Sequence, residues 1–511
     1  MSGGAGSNRL AGALVASVVA VSLTAWVALG DPVIALAPVL LTTFGWLLLH
    51  APPHRIALVF FFLALVADNP KEHPAGDKWD SPLKPLGVYL YENLNNLTGI
   101  SALRFCGMDL LLTVLLVIAV VRERRREAVP APPVLYTFLA AAWLAVLWLE
   151  AWGLARGGDF KASLWQARPL FWTPLIVYVF AAFLRGPADH AALGKAVIAA
   201  AMIKASFGVY YYAFICRPLG IVPAYATTHS DTVLFVSAVA IAAAMWLERR
   251  TAATALVSLA IVAVVGLGIA VNGRRLAYVA LAGVIAALRF VLPPDGLRRT
   301  FDRALVAGVP AGAIYLAIGW SSQATIFYPA RKVASLFSKE DTSSAMRDIE
   351  NYNLILTWKQ RLLLGSGFGH EYQELTHPVG IDNIFSLYRY IGHNSVLWLE
   401  AAGGVVGFTA FWMLLAALAY FAARSHRFAT APIDRAAALT ALSVVTIYGV
   451  QAYGDMGLNS WTAVFALSTS LVVASKLAVA SGAFPLPRGA PAAVHPSSHG
   501  GEPCSLSTSS S

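Results

Sequence analysis

Long apolar segments follow one another along most of this 511-residue chain. A helix needs about 20 mostly apolar residues to cross the hydrocarbon core of a bilayer, and flanking side chains can compensate for a shorter run. About 14 segments are candidates, the third of them short: 10–30, 33–50, 55–67, 105–121, 133–152, 165–184, 189–214, 229–247, 252–272, 275–292, 303–320, 394–422, 434–452 and 457–477. We therefore predict an all-α polytopic membrane protein with about 12–14 transmembrane helices.

Composition excludes a soluble enzyme, a disordered protein and a collagen-like or coiled-coil chain. The chain is 58% hydrophobic and only 13% charged, whereas roughly a quarter of the residues of a soluble domain are charged. A net charge of +10 is also found in nucleic-acid-binding proteins, but here the basic residues lie in short loops between apolar segments, so no nucleic-acid partner is expected. Cys106, Cys216 and Cys504 are far apart and form no C-x-x-C pair, which indicates neither a zinc site nor a disulfide framework.

The distribution of Lys and Arg predicts the orientation of the chain. Cytoplasmic loops are enriched in these residues. With Arg9 in the cytoplasm, every predicted inner loop contains at least one of them: Arg55, Arg122 with Arg124 to Arg126, Arg185, Arg249 with Arg250, Arg298 with Arg299 and Arg303, Arg424 with Arg427, and Lys476. An even number of spans then returns the C-terminus to the cytoplasm.

Four regions follow from this topology. We predict an N-terminal transmembrane bundle over 1–320, a large outer loop over 321–393, C-terminal transmembrane helices over 394–480, and a Pro- and Ser-rich disordered cytoplasmic tail over 481–511. A shorter outer loop spans about 68–104. Loops of such length are usually functional or disordered.

The large outer loop contains a predicted helix that opens at Ser343, a good N-cap, with acidic residues in its first turn. Its spacing predicts an amphipathic stripe near the outer membrane surface, ended by Gly365: Ile349, Tyr352, Leu356, Lys359 and Leu363. The alternating glycines of 365–369 follow. They indicate either a close approach of the backbone to a phosphate or sugar, or a turn after the helix.

The loop ends in His393-Asn394, directly before the span at 394–422. Asn394 is a good N-cap, so His393 is expected beside the positive end of a transmembrane helix. That position suits an anionic ligand and favours a neutral imidazole that can act as a base. The alternative is an interfacial polar residue.

Three arginines lie where topology does not require them. Arg274 and Arg275 fall at an outer boundary, and Arg168 falls inside the sixth predicted span. Charged groups at membrane depth suggest function, and the planar arginine fork suits phosphate or diphosphate. The alternatives are snorkelling for Arg274 and Arg275, and an intramembrane ion pair for Arg168, with Glu400 as one candidate carboxylate.

Two further features lie near the C-terminal spans. Gly403 and Gly407 form a G-x-x-x-G step, which indicates close helix packing. Glu400 has a second interpretation, a position that faces a cavity among the helices. Asp455 lies between the last two spans, on the outer side, and could face the same cavity.

These residues resemble those of a known family. His393-Asn394, nine residues, and then Gly404-Val405-Val406-Gly407 is similar to the H-N-x9-G-x-x-G signature of the O-antigen ligase and O-antigen polymerase family. Arg347, the stripe after it and the turn at 364–369 resemble that family's loop helix and glycine turn. Gly273-Arg274-Arg275 resembles its Ser-Arg element with Gly in place of Ser, which leaves open which arginine corresponds. The resemblance is specific from about 270 to 410 and only topological elsewhere.

The resemblance implies a GT-C-like, membrane-embedded glycosyltransferase of the bacterial inner membrane, with the large loop in the periplasm and both termini in the cytoplasm. Its donor would be a glycan on undecaprenyl diphosphate. A hydroxyl of a glycan or of lipid A core would attack the anomeric carbon, and the lipid diphosphate would leave. Other polysaccharide-assembly proteins are candidate partners.

In this interpretation His393 is the general base, and Arg274, Arg275 and Arg347 stabilise charge on the diphosphate. We also assign Arg168 and Asn394 to substrate binding. No D-x-D motif occurs in an outer loop, so we expect a reaction without metal or cofactor.

The sequence leaves three functions open. A polymerase that joins repeat units and a ligase that transfers finished glycan share the same chemistry. A transporter or flippase is the alternative from another class. Transporters commonly have repeated halves and broken helices at the midplane, and no repeat of fixed period is found in this chain.

Overall fold

The computed structural model describes residues 16–24, 50–70, 81–121, 128–337, 342–377 and 387–485, with gaps at 102, 222, 224, 293 and 295 and isolated positions between 27 and 46. Within these ranges the regular elements are helices: α1 (Pro53–Val66), α2 (Lys84–Tyr91), α3 (Leu94–Thr98), α4 (Gly107–Val121), α5 (Pro133–Ala155), α6 (Phe160–Phe183), α7 (Pro187–Tyr210), α8 (Asp231–Arg249), α9 (Ala252–Asn272), α10 (Arg275–Val291), α11 (Gly296–Gly319), α12 (Tyr328–Ala334), α13 (Thr342–Gln360), α14 (Ser395–Phe428), α15 (Pro432–Gly454) and α16 (Trp461–Ala480).

Some predictions fall outside the described residues. Of the first two predicted spans, 10–30 and 33–50, only residues 16–24, which are helical, form a continuous described segment. The predicted tail is described only as far as residue 485. The chain divides into two compact units, Met1–Phe60 and Phe61–Ser511, and the second contains all the helices from α2 onward.

The prediction of an all-α chain rich in apolar helices is confirmed for the described part. Eight of its helices are long and apolar enough to cross a membrane: α5, α7 with its π-helical continuation to Cys216, α8, α9, α11, α14, α15 and α16. Helices α1 and α4 are shorter but apolar. Helices α6 and α10 occupy the remaining predicted spans, 165–184 and 275–292.

Three helices form the centre of the large unit. In α16, α8 and α15, 78%, 67% and 61% of the most apolar stretch is buried, whereas in α11 only 6% is buried. Helix α16 packs against α6, α14 and α15, and α8 packs against α9 and α15. Ring contacts at 6.0–6.4 Å among Phe61, Phe180 and Phe465 fill part of this core. The polar residues described below lie near the ends of helices of this unit.

Helix α14 is broken at Gly404, where φ is 58° and ψ is −168°. A break inside an apolar helix frees backbone groups that must find partners within the protein. The turn after α13 supplies them through four bonds of 2.8–3.2 Å: Ser366 N to Ala401 O, Gly367 N to Ala402 O, Val405 N to Leu362 O and Val406 N to Leu363 O. The turn therefore provides hydrogen-bond partners for backbone groups on both sides of the break.

The other contacts of this turn are also with protein backbone. Phe368 N donates to Leu149 O at 3.0 Å, and an added Cβ at Gly367 would lie 2.4 Å from Gly153 Cα. Of the two interpretations offered by the sequence, the structure supports a packed turn after a helix. Gly403 and Gly407 both face the Leu149 side chain of α5, where an added Cβ would come within 3.1–3.2 Å, so this step serves close helix packing as predicted.

Candidate active site

Helix α13 carries a buried polar face toward the rest of the large unit. Glu350, Asn353, Leu354 and Thr357, at three- and four-residue spacing, have exposed fractions of 1%, 0%, 0% and 9%. Asn353 holds the following loop: its Nδ2 donates to Thr376 O at 2.8 Å, and its Oδ1 accepts from two backbone amides of that loop. This face brings the end of the loop back to α13.

Two members of the apolar stripe predicted for this segment are exposed, Tyr352 by 53% and Leu363 by 69%. The helix begins at Thr342 and ends at Gln360 and not at Gly365, which closes a separate turn by donating to Arg361 O. Exposed apolar side chains are compatible with a position at a membrane surface, which stays a prediction. The buried face was not predicted, because its polar members have partners that only the folded loop provides.

Glu350 and His393 form an imidazole–carboxylate pair. The Nδ1 atom of His393 lies 3.1 Å from Glu350 Oε2, and the backbone amide of His393 donates to Glu350 Oε1 at 3.2 Å. An ionised carboxylate only accepts hydrogen bonds, so Nδ1 carries the ring hydrogen and Nε2 keeps its lone pair. The pair therefore prepares His393 to take a proton at Nε2.

Asn394 caps α14 as the sequence predicted. Its Oδ1 accepts from Leu397 N at 3.2 Å, while its buried Nδ2 has no hydrogen-bond partner among the described residues. The carbonyl of His393 accepts from Met456 N at 2.7 Å. This bond joins the start of α14 to the short connection between α15 and α16, which carries Asp455.

Asp455 is the anionic centre of a cationic cluster. Its side chain is 7% exposed and lies 3.6 Å from His229 Nδ1 and 3.9 Å from Arg274 Nη1 through Oδ2, and 4.0 Å from Arg347 Nη2 through Oδ1. Burial alone raises the pKa of Asp455, but the His229 contact and the charges of Arg274 and Arg347 outweigh it and hold that pKa well below its ordinary value.

The arginine contacts with Asp455 are longer than hydrogen bonds. In addition, the buried Nε of Arg347 has no hydrogen-bond partner among the described residues. One carboxylate therefore lies close to both Arg274 and Arg347 without a hydrogen bond from Asp455 to either guanidinium. Such an arrangement suits an incoming ligand that carries several anionic oxygens.

Arg274 and Arg275, which the sequence could not tell apart, have different surroundings. Arg274 faces Asp455 and also lies over the Tyr225 ring, 4.8 Å from its centroid. Arg275 donates instead to Ser335 O at 3.3 Å, in the turn that follows α12. Of the two, Arg274 is the one that faces Asp455, the same carboxylate that Arg347 faces.

Arg168 belongs to a different group of side chains. Its Nε lies 3.5 Å from Asp109 Oδ2, and its Nη1 and Nη2 donate to Asn93 Oδ1 at 2.9 Å and to Arg104 O at 2.5 Å. The structure thus identifies Asp109, not Glu400, as the carboxylate of an ion pair within the helix bundle. Arg168 is held by α4 and by the α2–α4 connection, and none of these partners is a residue of the Asp455 cluster.

The sequence analysis did not assign a role to Glu350 or His229. Glu350 follows Arg347 by one helical turn, a spacing that places both on one face of a helix. His229 lies in the polar run Thr227–Asp231 immediately before an apolar helix, a pattern that signals a polar cluster at a helix end. Neither signal identifies the partner, because Glu350 and His393, or His229 and Asp455, are distant in sequence.

The site contains the elements of acid–base and anion chemistry. It combines an imidazole with an orienting carboxylate, two arginines held by one buried aspartate, and a second imidazole. Among the described residues, no group of three or more His, Cys, Asp or Glu side chains could hold a metal ion. Comparison of the sequence with protein-family profiles and with curated proteins finds no match.

Proposed function

We propose that this protein transfers a glycan from a lipid diphosphate donor to an acceptor hydroxyl at the end of the helix bundle that carries Asp455. The observation that supports this proposal most strongly is that the segment Asp455-Met456 contacts both groups: Asp455 faces Arg274 and Arg347, and Met456 N donates to His393 O. The two cations face one carboxylate at 3.9 and 4.0 Å, and a backbone bond links that carboxylate's segment to His393. The reaction needs a general base for the acceptor hydroxyl and cations that bind the diphosphate of the donor.

His393 acts on the acceptor. Its Nε2 takes the proton of the acceptor hydroxyl as the oxygen attacks the anomeric carbon, and Glu350 stabilises the imidazolium that forms. The hydroxyl oxygen forms the new bond, and the bond between the anomeric carbon and the diphosphate oxygen breaks with its electron pair going to that oxygen. A single displacement of this kind inverts the anomeric configuration.

Arg274 and Arg347 act on the donor. Negative charge develops on the diphosphate as it leaves, and preorganised cations in a partly buried site stabilise it more than water does. Asp455 keeps the two guanidinium groups together before the donor arrives, because without it their like charges would repel each other. Arg275 and Arg168 take no direct part in this mechanism, and Asn394, whose Nδ2 has no hydrogen-bond partner among the described residues, follows the base in the sequence.

The apolar helices support a location in a membrane, and the orientation predicted from Lys and Arg supports a reaction on the side opposite the cytoplasm, which the resemblance implies to be the periplasm. The glycan chemistry is that of a polysaccharide polymerase or ligase. Transport is the second candidate, and the buried ionic cluster of Lys204, Asp231 and Asp68 favours it, since ionisable side chains between apolar helices often mark transport pathways.

Deletion of the gene followed by analysis of lipid-linked and surface glycan tests the proposal. We expect single repeat units on the surface if the protein is a polymerase, and long glycan retained on the lipid carrier if it is a ligase. Accumulation of donor only on the cytoplasmic side would instead indicate a flippase and contradict the proposal.

Point variants in the deletion strain test the site itself. We expect His393→Ala and Arg347→Ala to remain in the membrane and to abolish product. His377→Ala is the matched control, because His377 also pairs with a glutamate of the same loop, Glu374, at 2.8 Å but is 54% exposed. Wild-type product in the His393→Ala or Arg347→Ala strain would show that the assigned chemistry is wrong.

A further inference from the structure

His229 is a second imidazole beside the proposed diphosphate site, and the mechanism above does not use it. Its Nδ1 lies 3.6 Å from Asp455 Oδ2, the same oxygen that lies 3.9 Å from Arg274 Nη1. The Tyr225 ring makes an edge contact with the His229 ring at 4.5 Å and lies under the Arg274 guanidinium at 4.8 Å. His229 and Arg274 therefore share both a carboxylate and an aromatic neighbour.

The free nitrogen of His229 is buried. Its Nδ1 lies 3.6 Å from the Asp455 carboxylate, so Nε2 lies on the side of the ring away from that carboxylate. This Nε2 is inaccessible to solvent and has no hydrogen-bond partner among the described residues. A buried ring nitrogen without a partner costs about 1–3 kcal/mol, and a native structure retains such a group where function needs it.

The segment that carries His229 is fixed on both sides. Thr228 N donates to Asp231 Oδ2 at 3.0 Å, and Asp231 Oδ1 accepts from the buried Lys204 at 2.6 Å. Thr227 N donates to Asn272 Oδ1 at 3.3 Å, at the end of the helix that leads into Arg274. These bonds hold the His229 ring and the Arg274 guanidinium in a defined relation to each other.

The surroundings of His229 carry charge of both signs. Among the described residues, four groups face it directly or through Asp455: the carboxylate itself, the guanidinium of Arg274 on the shared oxygen, the guanidinium of Arg347 on the other oxygen, and the Tyr225 ring. The low pKa of Asp455 means that its negative charge is present throughout the neutral range and offsets part of the arginine charge. His229 therefore lies beside an ionised carboxylate.

We propose that His229 is the general acid of the transfer reaction and protonates the diphosphate as it leaves. This inference rests on the proposed function. As the bond between the anomeric carbon and the diphosphate oxygen breaks, its electron pair stays on the oxygen, and His229 Nε2 gives a proton to the phosphate. His393 gains the proton of the acceptor hydroxyl in the same turnover, so the two imidazoles exchange charge states and the site gains no net proton.

An imidazole is chemically suited to this role, because it is a common general acid that can hold and release a proton near neutral pH. The two arginines alone stabilise the charge on the diphosphate but cannot supply a proton, because arginine does not ionise in proteins.

The test uses the full-length protein in lipid nanodiscs with a lipid-linked glycan donor, and it compares wild type with His229→Gln. We expect kcat to fall about 100-fold, within the range typical of a lost general acid, while KM changes by less than about threefold. We also expect the wild-type kcat to decline on the alkaline side of the imidazole pKa, and this decline to be absent from the residual activity of His229→Gln. His377→Gln serves as the control and should match wild type.

Other outcomes overturn the inference. A kcat of His229→Gln within twofold of wild type, or an alkaline decline that persists in the variant, would show that His229 gives no proton. A change in KM alone, measured together with weaker binding of farnesyl diphosphate as a probe, would reduce His229 to a binding residue. If His229→Gln does not fold, the wild-type profile decides, because a kcat that stays constant above the imidazole pKa excludes the role. Full activity of His393→Ala would instead reject the proposed function itself.

Discussion

Replacement of Glu350 by Gln tests the imidazole–carboxylate pair most directly, because it removes one charge and changes no volume. Glu350 is 1% exposed and serves two donors at once, the backbone amide of His393 at 3.2 Å and its ring Nδ1 at 3.1 Å. Glutamine has only one acceptor oxygen. Glu350 Oε1 also lies 3.3 Å from Nδ1, but the oxygen that approaches Nδ1 at 3.1 Å is replaced by an NH₂ group, so glutamine cannot keep both contacts at these distances without placing a donor against Nδ1.

Both orientations of the new amide are unfavourable for catalysis. If the amide oxygen stays on the backbone N–H, the NH₂ group faces Nδ1, which must then accept, and the ring hydrogen moves to Nε2 of His393. If the amide is flipped, the tautomer is correct but the backbone N–H loses its acceptor, at about 1–3 kcal/mol. The competent form therefore becomes the minor one by about 1–3 kcal/mol, which corresponds to a fall of about 5- to 160-fold in kcat/KM.

The assay is glycan transfer in nanodiscs, with kcat/KM measured for Glu350→Gln and for Glu374→Gln. Glu374 is a matched control because it also accepts from an imidazole Nδ1, that of His377 at 2.8 Å, in the same loop. We expect the control to stay within twofold of wild type. If Glu350→Gln is folded and also stays within twofold, Glu350 does not set the tautomer of His393 and the catalytic assignment loses its basis.

Three further predictions concern stability. Gly404→Ala should lower the free energy of unfolding by about 1–3 kcal/mol or more, because the backbone angles of Gly404 are essentially restricted to glycine and an added Cβ would lie 2.3 Å from Leu363 O. The control is Gly449→Ala, which has no heavy atom within 4 Å of the added Cβ and should be neutral or slightly stabilising. Thermal unfolding in detergent compares the two variants. Asp455→Asn should lower the melting temperature. The low pKa of Asp455 in the folded state means that its charge stabilises the protein at every pH above the pKa of an unfolded aspartate. The difference in melting temperature between wild type and Asp455→Asn should therefore not shrink between pH 8 and pH 5. Arg168→Met and Asp109→Leu should each reduce stability by about 3–5 kcal/mol, because each leaves one partner of a partly buried ion pair without its counter-charge. The double variant should lose less stability than the sum of the two single variants. A folded Arg168→Met protein that is inactive would instead show that Arg168 belongs to the substrate site.

The apolar pattern alone predicted most of the helices, because the cost of exposing a backbone polar group or a charge to lipid leaves few alternatives. The cap of α14 at Asn394 and the packing of Gly403 and Gly407 were also predictable, since both depend on residues close in sequence. The buried face of α13 was not predicted. Its buried face is made of Glu350, Asn353 and Thr357, whose partners lie on a loop that the sequence does not place.

The sequence by itself determined that this chain is an α-helical bundle of apolar helices, and it singled out His393, Arg274 and Arg347 as residues in unusual positions. These inferences rest on local properties: hydropathy, capping preference and charge where topology needs none. Only the tertiary structure decided which of these residues meet. It joined His393 to Glu350, gathered two arginines and His229 around Asp455, and placed Arg168 with Asp109 instead. Such pairings depend on how distant helix ends pack together, and packing is a property of the whole bundle, which no local pattern encodes.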